Sequence, residues 1–187
     1  MTSSSHRPAD LRPVATSTWQ FWAIAAAIIA ADFVSKNMAV EALSPMHVPH
    51  PIIGNTVRFT LAYNPGAAFG MHLGPASRWI FGVLSVVIVA VLLRATADLT
   101  RLSRLAAIGV PIVIGGAVGN LLDRIRHRDG VVDFIDVGVG DVRFWTFNIA
   151  DSAVTIGAVC LVLALWRQER LQQAHGSIEQ AERQSNA

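Results

Sequence analysis

Four strongly apolar stretches of the chain carry no charged side chain, and they constrain the fold more than any other feature. They are residues 13–31, 79–93, 105–122 and 152–166. A helix needs about 20 mostly apolar residues to cross the hydrocarbon core of a bilayer. The sequence therefore predicts an all-α membrane protein with four transmembrane helices, at about residues 19–40, 78–97, 105–122 and 148–166.

The composition agrees with a membrane protein and excludes several other classes. Hydrophobic residues make up 52% of the chain and charged residues 15%, where about 25% charged is usual in soluble proteins. A disordered chain would need the opposite balance. The single cysteine excludes an intramolecular disulfide. A formal net charge of +2 is too small for a nucleic-acid-binding protein, so we expect no nucleic-acid partner.

Three of the four predicted spans reach full length only with polar residues at or near their ends. The first must continue through Asp32, the second is bounded by Arg78 and Arg94, and the fourth must include 148–151. A charge at the centre of a membrane costs roughly 2.5–3.5 kcal/mol on insertion scales. Charged residues kept at such positions therefore indicate function.

The chain divides into a flexible N-terminus over 1–18, a membrane domain over 19–166, and a C-terminal tail over 167–187 that is a helix or frayed. The first apolar stretch runs into 32–37 without turn residues, so we expect a retained span rather than a cleaved signal peptide. Residues 94–104 are predicted to be a short basic loop. Lysine and arginine divide evenly between the two membrane faces, so the positive-inside rule selects no orientation.

The two long connections, 41–77 and 123–147, share one membrane face and carry strand patterns. Apolar and polar residues alternate over Val57–Tyr63, which predicts a strand with one apolar face. Apolar runs on both sides of Gly138–Asp141 predict a hairpin. Together they predict a small β element on the bilayer surface.

Six of the nine aspartates lie between residues 123 and 151. Asp151 opens the fourth span and is most simply an N-cap. Asp136 is expected to be a solvated strand position, and Asp129 and Asp141 are expected in turns. Two aspartates differ: Asp133 lies in an apolar run and is predicted buried, and Asp123 lies at a helix C-terminus, where it needs a cation such as an arginine.

Two carboxylates brought together at a membrane surface would raise the pKa of one of them by repulsion and burial. One would then act as a base and the other as an acid, as in an aspartic protease. The residues alone leave open which two form the pair.

Asp32 and Lys36 are spaced for a structural ion pair on one helix face. Asn64–Gly70 is a turn or a platform for a substrate backbone, and Gly115–Gly119 is a helix-packing face.

The sequence lacks the motifs that other enzyme classes require. Neither H-E-x-x-H nor G-x-S-x-G occurs, and the G-x-G-D at 138–141 lies in a loop rather than in the helix that presenilin-type proteases require. Two non-enzymatic alternatives stay open: a small transporter or channel that uses the carboxylates as a cation pathway, and a membrane assembly factor.

Five blocks of sequence, in order along residues 19–166, resemble lipoprotein signal peptidase (signal peptidase II). The blocks are Asp32-Phe33-Val34-Ser35-Lys36, Asn64-Pro65-Gly66-Ala67-Ala68-Phe69, residues 115–124 (GGAVGNLLDR), Val131-Val132-Asp133-Phe134-Ile135 and Phe147-Asn148-Ile149-Ala150-Asp151-Ser152.

The resemblance implies an aspartic endopeptidase that cuts diacylglyceryl-modified prolipoproteins just before the modified cysteine. Asp133 and Asp151 match the catalytic pair of the family. The supporting and substrate-binding positions of the family match Asp32, Lys36, Asn64, Gly66, Asn120, Asp123, Arg124, Asn148 and Ala150. No metal or cofactor is implied, and globomycin is the expected inhibitor.

The resemblance also implies a location and an orientation. We expect a multi-pass protein of the bacterial plasma membrane, a monomer, with both termini in the cytoplasm. The active site would lie near the outer leaflet, under an extracytoplasmic β cradle.

Residues 125–130 depart from the family pattern, because they are long and charged for this loop. We expect them at the lipid headgroups. Residues 1–18 have no counterpart in the family.

Overall fold

The computed structural model describes residues 17–66 and 74–185. Within this part the chain forms four long helices: α1 (Thr18–Ala42), α2 (Ser77–Leu102), α3 (Arg104–Arg126) and α4 (Ile149–Ser185). Each is long and apolar enough to cross a membrane, which confirms the predicted four-helix architecture. The predicted flexible segment lies outside the described residues except at its end, where α1 begins.

Helix α3 is the centre of the bundle, because its glycines allow neighbouring backbones to approach. Gly115 lies against α1 at Ala25 and Ile28, and Gly116 lies against α4 at Ala150. Small residues at such contacts let transmembrane helices pack closely. The predicted packing role of this glycine face is therefore confirmed.

The predicted loop at 94–104 is wrong, because α2 continues to Leu102 and Ser103 alone separates it from α3. The stretch contains neither glycine nor proline, and the hydroxyls of Thr96 and Thr100 donate to the carbonyl oxygens four residues earlier, at 2.7 Å each. The Ser103 hydroxyl then accepts the Ala106 N–H at 3.1 Å and caps α3.

Four strands form an antiparallel sheet in the order β1-β2-β3-β4: β1 (His50–Ile53), β2 (Val57–Asn64), β3 (Val131–Val139) and β4 (Val142–Arg143). The predicted strand and hairpin are both present. Gly140, at φ 57°, forms the hairpin turn in a backbone conformation that favours glycine. β1 was not predicted, because it has only four residues and one of them is a proline. A proline in a strand is typical of an edge position.

The sheet is attached to the bundle by apolar packing at the end of α1. Ala39 of α1 and Leu43, the residue that follows the helix, pack with Leu61 of β2 and with Val132 and Phe134 of β3. This contact holds β3 over the ends of the helices, close to the start of α4.

Asp136 is buried rather than solvated, at 4% exposed. Its carboxylate accepts hydrogen bonds from Arg58 on β2 and Arg143 on β4, with N–O distances of 2.7 Å to each, and from the Thr60 hydroxyl at 3.0 Å. Burial raises the pKa of Asp136, but hydrogen bonds from Arg143, Arg58 and Thr60 outweigh it and leave the pKa below its usual value. The two arginines thus make burial favourable and join three strands.

Gly116→Ala should destabilise the bundle, because the new Cβ would lie 2.5 Å from the Ala150 carbonyl oxygen and 2.9 Å from Val154 Cγ2. We expect a loss of about 1–3 kcal/mol in the free energy of unfolding. Gly82→Ala is the matched control, because its Cβ would meet nothing closer than 3.9 Å. Thermal unfolding in detergent measures both, and equal midpoints for the two variants would contradict the close approach of α3 and α4.

Candidate active site

Asn148 and Asp151 are positioned by the first turn of α4. The Asn148 side-chain oxygen accepts the Asp151 N–H at 2.9 Å, and the Asp151 carboxylate accepts the Asn148 N–H at 3.2 Å. This is a reciprocal capping box. The N-cap is therefore Asn148 rather than Asp151 as predicted, since the asparagine precedes the helix and its side chain reaches the free N–H group. The other Asp151 oxygen accepts a hydrogen bond from the Asn120 amide at 2.8 Å.

Asp133 comes from β3 and is buried, at 2% exposed, as the sequence predicted. One of its oxygens accepts from the Asn148 side-chain amide at 2.7 Å, and the other accepts from the Asn64 amide at 3.2 Å. Asn148 thus donates to Asp133 from its side chain and to Asp151 from its backbone. One asparagine brings the two carboxylates together.

The pKa of Asp133 is raised to about 7. Burial is the largest cause, and the negative charge of Asp151 adds to it. The hydrogen bonds from Asn64 and Asn148 and the charge of Lys36 act in the opposite direction. At neutral pH the Asp133 carboxyl is therefore poised between its acid and base forms.

A ring of hydrogen bonds closes around this pair. Arg124 donates to the Gly66 carbonyl at 2.9 Å and to the Asn120 carbonyl at 3.1 Å. The Gly66 N–H donates to the Asn64 side-chain oxygen at 3.0 Å, and the Asn148 amide donates to the Asn120 side-chain oxygen at 3.2 Å. The ring therefore holds Asn64 against Asp133. Residues 67–70 of the predicted turn or platform lie outside the described residues.

Lys36 lies below the ring as a buried ammonium group, at 2% exposed. Its Nζ is 2.7 Å from the Asp32 carboxylate, 3.0 Å from the Asp123 carboxylate and 2.9 Å from the Asn120 side-chain oxygen. An ammonium group has three donors, and here three acceptor oxygens lie within 3.0 Å of Nζ. Asp123 thus has the cationic partner that its position requires, and this partner is a lysine from α1.

The two carboxylates around Lys36 extend the network to the elements that carry the pair. Asp32 accepts the Ala150 N–H at 2.9 Å, at the start of α4. Asp123 accepts the Val132 N–H at 3.0 Å, next to Asp133 on β3. All eleven site residues predicted from the sequence are thus joined in one network: Asp32, Lys36, Asn64, Gly66, Asn120, Asp123, Arg124, Asp133, Asn148, Ala150 and Asp151. The Val132 N–H escaped prediction because a backbone donor leaves no signal in residue type.

A cavity of about 400 Å³ opens beside Asp151. It is lined by Asn64, Phe144, Trp145, Thr146, Phe147, Asp151, Ser152, Thr155 and Ile156. Asp151 lines the cavity itself, and Asp133 is joined to the cavity wall through the hydrogen bond from Asn64. The aromatic segment 144–147 was not predicted as part of the site, although three aromatic residues just before a span were visible in the sequence.

Within residues 17–66 and 74–185, no cluster of three or more His, Cys, Asp or Glu side chains could hold a metal ion.

The sequence model of the family described as Signal peptidase (SPase) II matches residues 24–167, most of the chain. The chain belongs to the signal peptidase II family. The family's activity is the removal of signal peptides from prolipoproteins, and the four apolar helices make the chain a multi-pass membrane protein. Membership in a peptidase family favours a hydrolase over the transporter and assembly-factor alternatives.

Individual relatives agree along most of their length. A lipoprotein signal peptidase of Geobacillus thermodenitrificans is 37% identical over 146 residues, covering 78% of this chain and 89% of the relative. That of Hydrogenovibrio crunogenus is 35% identical over 169 residues, covering 89% and 94%. That of Mycobacterium avium is 39% identical over 146 residues, covering 75% of each chain.

Two solved structures share the fold, each described as a bacterial membrane enzyme determined by the in meso method. The one at 2.3 Å resolution has a TM-score of 0.73 and 26% identity, covering 81% of this chain and 90% of its own. The one at 1.9 Å resolution has a TM-score of 0.69 and 27% identity, covering 79% and 93%.

Asp123→Asn should lower the amount of folded protein, because it removes one of the two charges that balance the buried Lys36. We expect a loss of about 1–3 kcal/mol in the free energy of unfolding, with activity falling together with abundance. Asp141→Asn, the same change in an exposed turn, is the control. Immunoblots of membranes measure abundance, and normal abundance with no activity would show that Asp123 is more than a supporting residue.

Proposed function

We propose that this protein removes the signal peptide from diacylglyceryl-modified prolipoproteins by cutting before the modified cysteine, and that Asp133 and Asp151 activate the attacking water. The observation that carries this proposal is the double hydrogen bond from Asn148, which holds a buried carboxyl and a cavity-lining carboxylate side by side in a signal peptidase II.

The two aspartates take different roles. With its pKa raised to about 7, Asp133 holds the shared proton and acts as the acid. Asp151, which lines the cavity, takes a proton from water as the water oxygen attacks the scissile carbonyl. Asp133 donates its proton to the carbonyl oxygen, which gives a tetrahedral gem-diol.

Collapse of the gem-diol breaks the carbon–nitrogen bond. The proton that Asp151 took from water passes to the leaving amine of the modified cysteine, and a hydroxyl proton of the gem-diol returns to Asp133. The released signal peptide then ends in a new carboxyl group. Both aspartates regain their starting protonation, so the cycle needs no metal or cofactor.

The other residues of the network act as supports. Lys36, Asp32 and Asp123 fix the start of α4 and β3 through the Ala150 and Val132 N–H groups. Arg124 and Asn120 hold Gly66 and Asn64 against the pair. Supports of this kind fix catalytic side chains more narrowly than rotamer preferences alone.

The surroundings of the pair suit a lipid-modified substrate. The cavity beside Asp151 is walled by Phe144, Trp145, Phe147 and Ile156, and it opens at the end of a membrane-spanning helix. We place the active site near the outer leaflet of the bacterial plasma membrane, under the β cradle, with both termini in the cytoplasm. The protein acts as a monomer, and globomycin is the expected inhibitor.

Asp133→Asn and Asp151→Asn should each abolish processing of a lipid-modified precursor, while both proteins still accumulate in membranes. Asparagine keeps the size of the side chain but neither holds nor takes the shared proton, so we expect losses of at least about a hundredfold. Asp129→Asn, in an exposed turn, is the control. A gel assay with purified protein follows the precursor, and substantial processing by either variant removes that residue from the pair.

Activity should fall as the pH rises through about 7, because Asp133 loses its proton there. Below this midpoint Asp133 is protonated and competent as the acid. Asn64→Ala removes a hydrogen bond that favours the ionised form, so its midpoint should lie at higher pH. The pH profile of kcat/KM measures both midpoints. A profile that stays flat into strongly alkaline pH would be incompatible with Asp133 as the acid.

A further inference from the structure

The end of the bundle that carries the sheet also carries seven basic residues: Lys36, Arg58, Arg78, Arg124, Arg126, Arg128 and Arg143. Four of these have roles within the fold. Lys36 is paired with Asp32 and Asp123, Arg58 and Arg143 are paired with Asp136, and Arg124 donates to two backbone carbonyls.

The other three form what we call the basic rim: Arg78, Arg126 and Arg128. Within the described residues, none of the three makes a salt bridge. The exposed Asp129 beside them leaves an excess of positive charge. Positive charge that the fold does not neutralise is available to an anionic ligand.

The rim is built into one place by contacts between α2 and the end of α3. A guanidinium nitrogen of Arg78, at the start of α2, donates to the His127 carbonyl at 3.2 Å. His127 lies between Arg126 and Arg128 and follows the last residue of α3. Arg78 Nε is shielded from solvent and has no hydrogen-bond partner among the described residues. Arg78 thus lies against the segment that carries Arg126 and Arg128.

Two of the arginines stack on aromatic rings that face outward from the bundle. The Arg78 guanidinium lies 4.6 Å from the centre of the Trp79 ring, and that of Arg126 lies 4.4 Å from the centre of the Phe33 ring. Trp79 is 62% exposed and Phe33 is 41% exposed, both on helices able to cross a membrane. An arginine stacked on a lipid-facing ring at a helix end lies at headgroup depth.

We propose that the basic rim binds the phosphate of an anionic phospholipid in the surrounding leaflet. Guanidinium groups match phosphate oxygens in geometry as well as charge, and each basic residue near an anionic membrane surface strengthens attraction to it. The aromatic rings hold the arginines at the depth of the phosphate.

The rim is separate from the proposed substrate cavity. The cavity lies between segment 144–147 and α4, whereas the rim lies at the start of α2 and at the end of α3, where Arg126 stacks on Phe33 of α1. A bulk lipid at the rim therefore leaves the cavity open to substrate. Binding here requires no cleavage, so its failure is distinct from a failure of the proposed function.

Hydrogen–deuterium exchange of the full chain in nanodiscs tests the proposal, because it reports on each segment separately. The discs contain dioleoylphosphatidylcholine alone or mixed with increasing fractions of dioleoylphosphatidylglycerol. We expect the anionic dioleoylphosphatidylglycerol to slow exchange at 127–130 and at the start of α2. In Arg78→Gln/Arg126→Gln/Arg128→Gln this slowing should be lost.

Arg128→Gln alone changes one exposed residue, so it can test the proposal even if the triple variant does not fold. It should raise the fraction of anionic lipid needed for half-maximal slowing by about fivefold. The matched control is Arg94→Gln/Arg101→Gln/Arg104→Gln, which removes the same charge from the opposite end of the bundle. This control should retain the slowing at 127–130.

Three results would overturn the proposal. The first is equal exchange at 127–130 with and without the anionic lipid. The second is a slowing that survives in both rim variants or disappears in the control. The third is the same slowing in pure phosphatidylcholine discs on addition of sodium phosphate, which would mean that the rim binds free phosphate rather than a lipid.

Discussion

The buried ammonium group of Lys36 is the contact on which the geometry of this protein depends. It lies between Asp32 of α1 and Asp123 of α3, so it joins these two helices. A charge inside a membrane-spanning helix is costly, and here the three charges balance one another in part. Asp32 accepts the Ala150 N–H with its other oxygen, and Asp123 accepts the Val132 N–H with the same oxygen that faces Lys36. These N–H groups are one residue away from Asp151 and Asp133. One lysine, the only one in the chain, thus fixes the backbone on which both members of the proposed pair stand.

The two aspartates differ because they belong to different kinds of element. Asp133 projects from a strand that packs on the bundle, so it is buried and its pKa is raised to about 7. Asp151 stands in the first turn of a helix, beside an open cavity and within a capping box. The sheet therefore shields Asp133 from water, and the start of α4 gives Asp151 access to the cavity. Asn148 holds the two carboxylates side by side, because it donates a hydrogen bond to each.

The sequence predicted what depends on local pattern and missed what depends on distant partners. Charge-free stretches revealed the four helices, and alternation revealed β2, because both patterns follow from burial along one element. Asp136 was misjudged, since nothing near it in sequence shows that Arg58 would pair with it across the sheet. The lysine partner of Asp123 was missed for the same reason. The candidate site residues themselves were predicted from a resemblance of whole blocks rather than from spacing.

The central claim is that two carboxylates sharing one proton activate water against the peptide bond. A single turnover of purified protein on a lipid-modified precursor in heavy-oxygen water tests it directly, with mass spectrometry of the released signal peptide and of the enzyme. If water is the nucleophile, we expect one solvent oxygen in the new carboxyl group of the signal peptide and none in Asp133 or Asp151. Heavy oxygen in either aspartate, with an unlabelled signal peptide, would indicate attack by the carboxylate itself and would contradict the account.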